Sequence, residues 1–120
     1  MFPNHPYLLD ARFALDADFP VDAGYVAKPI AGRCGSNISI FDAHDALVTE
    51  TEGRFEAQDQ VYQAFFGLPQ LDGLNVQVCT FSVGGVYGGA CVRVDPSLVI
   101  TTDSDLLPLR VVADADLLRA

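Results

Sequence analysis

The chain has 120 residues, half of them hydrophobic, with a formal net charge of −9. That length makes one domain or a portion of one, and the apolar fraction excludes a chain that stays disordered. Seven basic residues against sixteen acidic ones exclude a nucleic-acid surface or an anionic membrane surface as the main partner.

The first ten residues, MFPNHPYLLD, lack the basic start and long apolar core of a signal peptide. No apolar run approaches the roughly 20 residues that span a bilayer. Cys34, Cys79 and Cys91 are odd in number and lack a CxxC pair, so neither a zinc site nor a disulfide framework is expected. The expected compartment is a reducing cytoplasm.

Residues 1–23 form a lead-in rich in proline and aspartate, with one short helical turn expected near residues 8–13. His5, between prolines, reads as a surface-loop histidine. Residues 25–30 and 38–41 predict two strands joined by the small-residue loop 31–37, a β-hairpin whose tip can move. Asp42 is a good helix N-cap, and the polar stretch after it predicts a short helix up to Thr51, broken by Gly53. His44 lies there without a second metal ligand at helical spacing.

Residues 61–66 (VYQAFF) predict an apolar strand, and residues 74–83 (LNVQVCTFSV) the clearest strand of the chain. Alternation puts Asn75, Gln77, Cys79 and Phe81 on one of its faces and Val76, Val78, Thr80 and Ser82 on the other. Gly84 and Gly85 make the turn into a return strand over residues 86–94. Gly88 and Gly89 within it predict a bulge or a close approach by another group. Residues 98–100 read as a short strand, residues 104–109 as one helical turn, and residues 111–112 as a strand closing the sheet. The fold class expected is α+β, an antiparallel β-rich unit.

Lys28 is the single lysine among seven basic residues. It stands just before a loop carrying Gly32, Arg33, Cys34 and Gly35. Backbone N–H groups of such a loop and a lysine ammonium can converge on one phosphate. The order is the reverse of a Walker A loop, and by spacing alone an ordinary hairpin with surface basic residues is the better explanation. Gln63 and Gln77 are amides inside apolar strands, to be paired with backbone or facing a heteroaromatic ring. Arg93, in a strand beside glycines, is placed either to grip a carboxylate or phosphate or to pair with an acid of the chain. Cys34 has no histidine in a partner motif, so a backbone contact is expected of it rather than nucleophilic attack.

Four stretches, GYVAKPIAGRCGSNISI, VYQAFFGLPQLDG, VQVCTFSVGGVYGGACVRVDPSLVI and SDLLPLRVV, appear in the order and spacing of one family. Together they closely resemble the C-terminal end of glutathionylspermidine synthase over about residues 6–112. That resemblance implies a portion of a circularly permuted ATP-grasp fold. It also implies an amide ligase in which ATP phosphorylates the glycine carboxylate of glutathione and an amine of spermidine attacks the acyl phosphate.

By the same resemblance, Lys28 contacts ATP phosphates, and Arg33, Cys34 and Gly35 form the lid loop over them. Gln63, Ala64, Phe65 and Phe66 match the hinge that reads the adenine edge. Gln77, Leu98, Val99 and Ile100 line the nucleotide pocket, and Arg93 holds the substrate carboxylate or its acyl phosphate.

The family's Mg²⁺ ligands, most glutathione- and spermidine-binding residues and the separate amidase half lie outside the matching stretches. Thr101 and Thr102 stand where relatives tend to carry lysines. Residues 1–120 are therefore expected to be an incomplete ligase domain, not competent alone, that joins an upstream chain or self-associates. A nucleotide-binding or docking module without catalysis, or a decayed remnant, is the alternative.

Overall fold

The computed structural model describes residues 5–113. Its described residues form strands, turns and loops, in two antiparallel sheets. The first sheet is built from β1 (Ala11–Arg12), β2 (Tyr25–Pro29), β3 (Ser39–Phe41), β4 (Leu47–Glu50) and β5 (Gln60–Ala64), in the order β1-β5-β2-β3-β4. The second holds β6 (Gln70–Leu71), β7 (Leu74–Val83), β8 (Val86–Asp95) and β9 (Asp105–Leu107), in chain order.

β2 is the central strand of the first sheet, and its period of two separates two environments. Tyr25, Ala27 and Pro29 are buried on one face, while Val26 and Lys28 are half-buried on the other. On the first face Tyr25 stacks on Phe41 at 4.8 Å between ring centroids and meets Phe19 and Tyr62 edge-on. Such pairs add about 0.5–1.5 kcal/mol each beyond the area they bury. The Tyr25 hydroxyl donates to Asp45 Oδ1, and burial followed by that carboxylate raises its pKa to about 12. The lead-in thus supplies Phe19 as a cover for the far face of this sheet, with the Arg12 guanidinium 5.6 Å above the Phe19 ring.

The hairpins read from the sequence are present. β2 pairs with β3 antiparallel, and β7 with β8. Gly84 and Gly85 both have positive φ, 57° and 82°, as a two-residue turn between right-twisted strands requires. Phe81 faces Gly89 and Ser82 faces Tyr87, so Gly88 is the extra residue of a bulge.

The helical part of the expected α+β class is corrected: among the described residues there is no helix. At residues 8–13 the backbone instead gives β1, which pairs with Tyr62 and Gln63 of β5. At residue 42 the N-cap signal produces a turn. Asp42 Oδ1 accepts from the His44 N–H at 2.8 Å and the Ala46 N–H at 3.0 Å, and Asp45 closes the turn at φ 63°. The chain then returns as β4 along β3. An aspartate that caps a helix makes the same side-chain bonds in a turn, and the Leu-Val-Thr run after it favours a strand.

Residues 105–107 are β9, paired with Val92, Arg93 and Val94, rather than a helical turn. Residues 98–100 are a loop rather than a strand, and residues 111–112 close no sheet.

Candidate functional site

Between the two sheets lies a cleft of about 400 Å³. Its wall from the first sheet is the polar-facing side of β2 with its neighbours. Val26 sits opposite both Ile40 and Gln63, so these three form a row across the sheet, with Lys28 one step along. The Lys28 ammonium donates to Gln63 Oε1, a diagonal contact between β2 and β5. The wall from the second sheet is the pair Gln77 and Arg93, directly opposite each other on β7 and β8. Ala64, Phe65, Phe66 and Leu68 close one end of the cleft, where the chain passes from sheet to sheet. Leu98, Val99 and Ile100 close the other with Cys34 and Gly35.

The cleft therefore gathers Lys28, Cys34, Gly35, Gln63, Ala64, Phe65, Phe66, Gln77, Arg93, Leu98, Val99 and Ile100 from positions up to 72 residues apart. Arg33 is not in it. It lines an adjoining hollow of about 270 Å³ with Lys28, Pro29, Gly32, Cys34, Gly35 and Ser36 among others. Sixteen acidic residues are in the chain, yet none of the described ones lines the cleft. Among the described residues both ion pairs belong to Arg12, so neither Lys28 nor Arg93 has a carboxylate partner there.

Loop 31–37 is clasped from two sides. Gly35 has φ 69°, and a Cβ on it would stand 2.5 Å from the Ile100 carbonyl oxygen and 3.0 Å from Val99 Cγ1. The loop thus rests on the segment at the far end of the cleft. On its other side the Thr51 hydroxyl donates to the Gly35 carbonyl at 2.5 Å, and Asn37 Oδ1 accepts from the Phe55 N–H at 2.9 Å. Cys34, at the crest of the loop, is exposed with φ 57°.

Segment 95–104 is an irregular loop fixed by buried polar groups. Asn75 is 2% exposed, and its amide donates to the Ser97 carbonyl at 2.8 Å and, at 3.4 Å, to those of Asp95 and Pro96. Asp95 accepts from the Ser97 N–H at 2.8 Å and from the Ser104 hydroxyl at 2.5 Å, and Ser104 Oγ accepts the Thr101 N–H at 2.7 Å. These bonds fold Val99 and Ile100 inward, where they are 7% and 9% exposed. Asn75, Asp95, Ser104, Thr51 and Asn37 were not singled out from the sequence. The one signal for Asn75 was an amide in the same apolar alternation that singled out Gln77.

Arg93 is partly committed to this loop. Its Nη2 donates to the carbonyls of Thr101, Thr102 and Ser104, while its Nε is buried with no partner. Among the described residues no acid pairs with it. Gln77 Oε1 accepts a weak bond from the Cys79 thiol at 3.6 Å.

The hydrogen bonds of Ser104 and then Ser97 hold the Asp95 carboxyl below its usual value of 3.8. A depressed folded pKa contributes stability above the unfolded value, and that contribution is lost as pH falls through the folded one. Urea denaturation of wild type and Asp95→Asn should therefore give a stability gap that narrows as pH drops below about 4. A gap independent of pH would show that the ionised carboxylate does not hold the loop.

A family model described as glutathionylspermidine synthase preATP-grasp matches residues 1–112. The bifunctional glutathionylspermidine synthetase/amidase of Escherichia coli (strain K12) is 51% identical over 112 residues, 93% of this chain and 18% of that protein. Trypanothione synthetase of Crithidia fasciculata is 32% identical over 113 residues, 94% of this chain and 17% of that protein. Glutathionylspermidine synthase of the same organism is 27% identical over 152 residues, 93% of this chain and 21% of that protein. The chain thus spans about a fifth of the length of these curated relatives.

Proposed function

Since this chain belongs to the glutathionylspermidine synthase preATP-grasp family, we propose that its cleft is the ATP-binding portion of an acid–amine ligase. The observation that carries this reading is the lining of the cleft: among the described residues, two cations, two amides and apolar ends, with no carboxylate, in a chain of net charge −9. A purine needs flat apolar contact and a few edge hydrogen bonds, and a triphosphate needs unpaired cations.

Lys28 is the group for the phosphates, because a lysine ammonium keeps donors to spare beyond the one given to Gln63. Arg33, Cys34 and Gly35 cover the phosphates from loop 31–37. The hinge residues Gln63 to Phe66 read the adenine edge. Ala64 N–H and Phe65 N–H already donate to the carbonyls of Asp10 and Gly24, so the edge is read by carbonyl oxygens and by the Phe66 N–H. Gln77, Leu98, Val99 and Ile100 complete the pocket. Arg93, its orientation fixed by the 101–104 carbonyls, supplies its guanidinium charge to a carboxylate or acyl phosphate.

In the complete enzyme, a glutathione carboxylate oxygen attacks the γ-phosphorus of ATP and ADP leaves. An amine of spermidine then attacks the acyl carbon, and phosphate leaves with formation of the amide. Mg²⁺ does not fit the residues present. Among the described residues no group of three or more His, Cys, Asp or Glu lies together. Its ligands belong, in this reading, to the part of the relatives that this chain does not span, and the chain is the lid-and-pocket portion of the domain.

A second reading, a docking module, is favoured by the far end of the β7–β8 hairpin. Phe81, Val83, Val86 and Tyr87 are all more than half exposed there. Both readings meet in one experiment. The chain is mixed with the remaining, upstream portion of the E. coli relative's synthetase region, and ATP-dependent joining of glutathione to spermidine is assayed. Amide formed by the mixture and by neither portion alone is the expected result. Turnover by the 120 residues alone would overturn the incompleteness, and an inactive mixture that nevertheless associates would favour docking. The cytoplasm is the compartment proposed for this chemistry; no helix among the described residues is long and apolar enough to cross a membrane.

A further inference from the structure

Cys79 and Cys91 are directly opposite each other on β7 and β8, one step along the same face from the Gln77–Arg93 pair. Both are half-buried thiols, whereas Cys34 is exposed. Opposite residues of an antiparallel pair have Cα atoms about 4.5 or 5.5 Å apart, depending on the pair type. Both values lie within the range of about 4.4–6.8 Å that a disulfide spans. The two sulfurs sense each other: burial first, and then the neighbouring Cys91, push the Cys79 thiol up. Its S–H is also the hydrogen-bond donor to Gln77 Oε1, 3.6 Å away.

We infer that Cys79 and Cys91 form an oxidisable dithiol that closes a disulfide across the hairpin and thereby releases the Gln77 side chain. The oxidant is a low-molecular-weight disulfide. One of the two thiolates attacks a sulfur of the reagent, giving a mixed disulfide and one free thiol of the reagent. The second thiolate then attacks the protein sulfur of that mixed disulfide and expels the other half of the reagent as a thiol. Two protein thiols and one reagent disulfide become one protein disulfide and two reagent thiols. The Cys79 sulfur then carries no hydrogen, so the contact to Gln77 Oε1 loses its donor. The disulfide itself does not depend on what the cleft binds.

The test treats the full chain with 2-hydroxyethyl disulfide and reads free thiols, intact mass and the side-chain amide NMR signals of Gln77. The thiols of Cys79 and Cys91 should disappear into a linked Cys79–Cys91 peptide, while the exposed Cys34 takes a reagent adduct of its own, so the loss of two hydrogen masses is read in Cys34→Ser. The Gln77 amide signals should shift. Cys34→Ser should still form the bond. Cys91→Ser has no second thiol to resolve a mixed disulfide, so on treatment it should keep a reagent adduct on Cys79 instead of closing a bond; before treatment it keeps the Cys79 S–H and should leave the Gln77 signals in place. Separate adducts on Cys79 and Cys91 in the wild type, or a bond that involves Cys34, would overturn the pairing. A disulfide that leaves the Gln77 signals unmoved would overturn the release.

Discussion

Replacing Lys28 with alanine is expected to weaken ATP binding by about ten- to a hundredfold. A hydrogen bond to a charged group contributes about 1.5–3 kcal/mol, and each 1.4 kcal/mol is a factor of ten in affinity. The loss falls at the upper end because the cleft has one other cation, Arg93, and its Nη2 already serves the carbonyls of loop 101–104. Lys28→Met keeps most of the apolar stem and removes the charge, so it should lose nearly as much affinity as alanine. The folded state should change little by comparison. Lys28 is half-buried at the edge of an open cleft, and water can reach the Gln63 carbonyl that it leaves. Titration of both variants with ATP, beside urea denaturation, separates these effects. Equal affinity in wild type and both variants would remove Lys28 from the phosphate site.

Gly35→Ala is expected to destabilise the chain by about 2–5 kcal/mol and to lift loop 31–37 off the 98–100 segment. Two costs combine. A left-handed backbone costs a residue with a Cβ roughly 1–2 kcal/mol, and Gly35 has φ 69°. The added Cβ would stand 2.5 Å from the Ile100 carbonyl oxygen, which is main chain and cannot swing aside. Forced overpacking of this kind adds about 1–3 kcal/mol. Thr51→Val separates clasp from clash: it removes the hydroxyl that donates to Gly35 O and accepts the Ile38 N–H, without adding bulk against Ile100. It should cost about 1 kcal/mol. Denaturation midpoints of the two variants check the order, and a Gly35→Ala chain within 0.5 kcal/mol of wild type would mean that the loop does not rest on Ile100.

Strand positions were legible where the pattern is local. Residues 74–83 alternate over a full strand, and Gly84-Gly85 names its own turn. The Gly88 bulge was legible for the same reason. The expected helices failed where one side-chain chemistry serves two structures. Asp42 gives its carboxylate to main-chain N–H groups two and four residues on, and partner strands in space made the following residues β4. Residues 105–107 became a strand because β8 presented an open edge to them.

The candidate site was legible as a set of residue types but not as a shape. An amide in an apolar strand marks a polar contact, yet nothing local says that Gln63 meets Lys28 or that Gln77 lies opposite Arg93. The resemblance supplied the grouping, and the register of the sheets gives it geometry. Least legible was the support of loop 95–104. There Asn75, Asp95 and Ser104 act through bonds to main-chain groups brought together only by the fold.

Calorimetric titration of the 120-residue chain with ATP and Mg²⁺ tests most directly whether the cleft is a nucleotide site. The expected result is saturable binding at one site that Lys28→Ala removes over the same range of ATP. No heat of binding at millimolar ATP, or binding unchanged by Lys28→Ala, would contradict it.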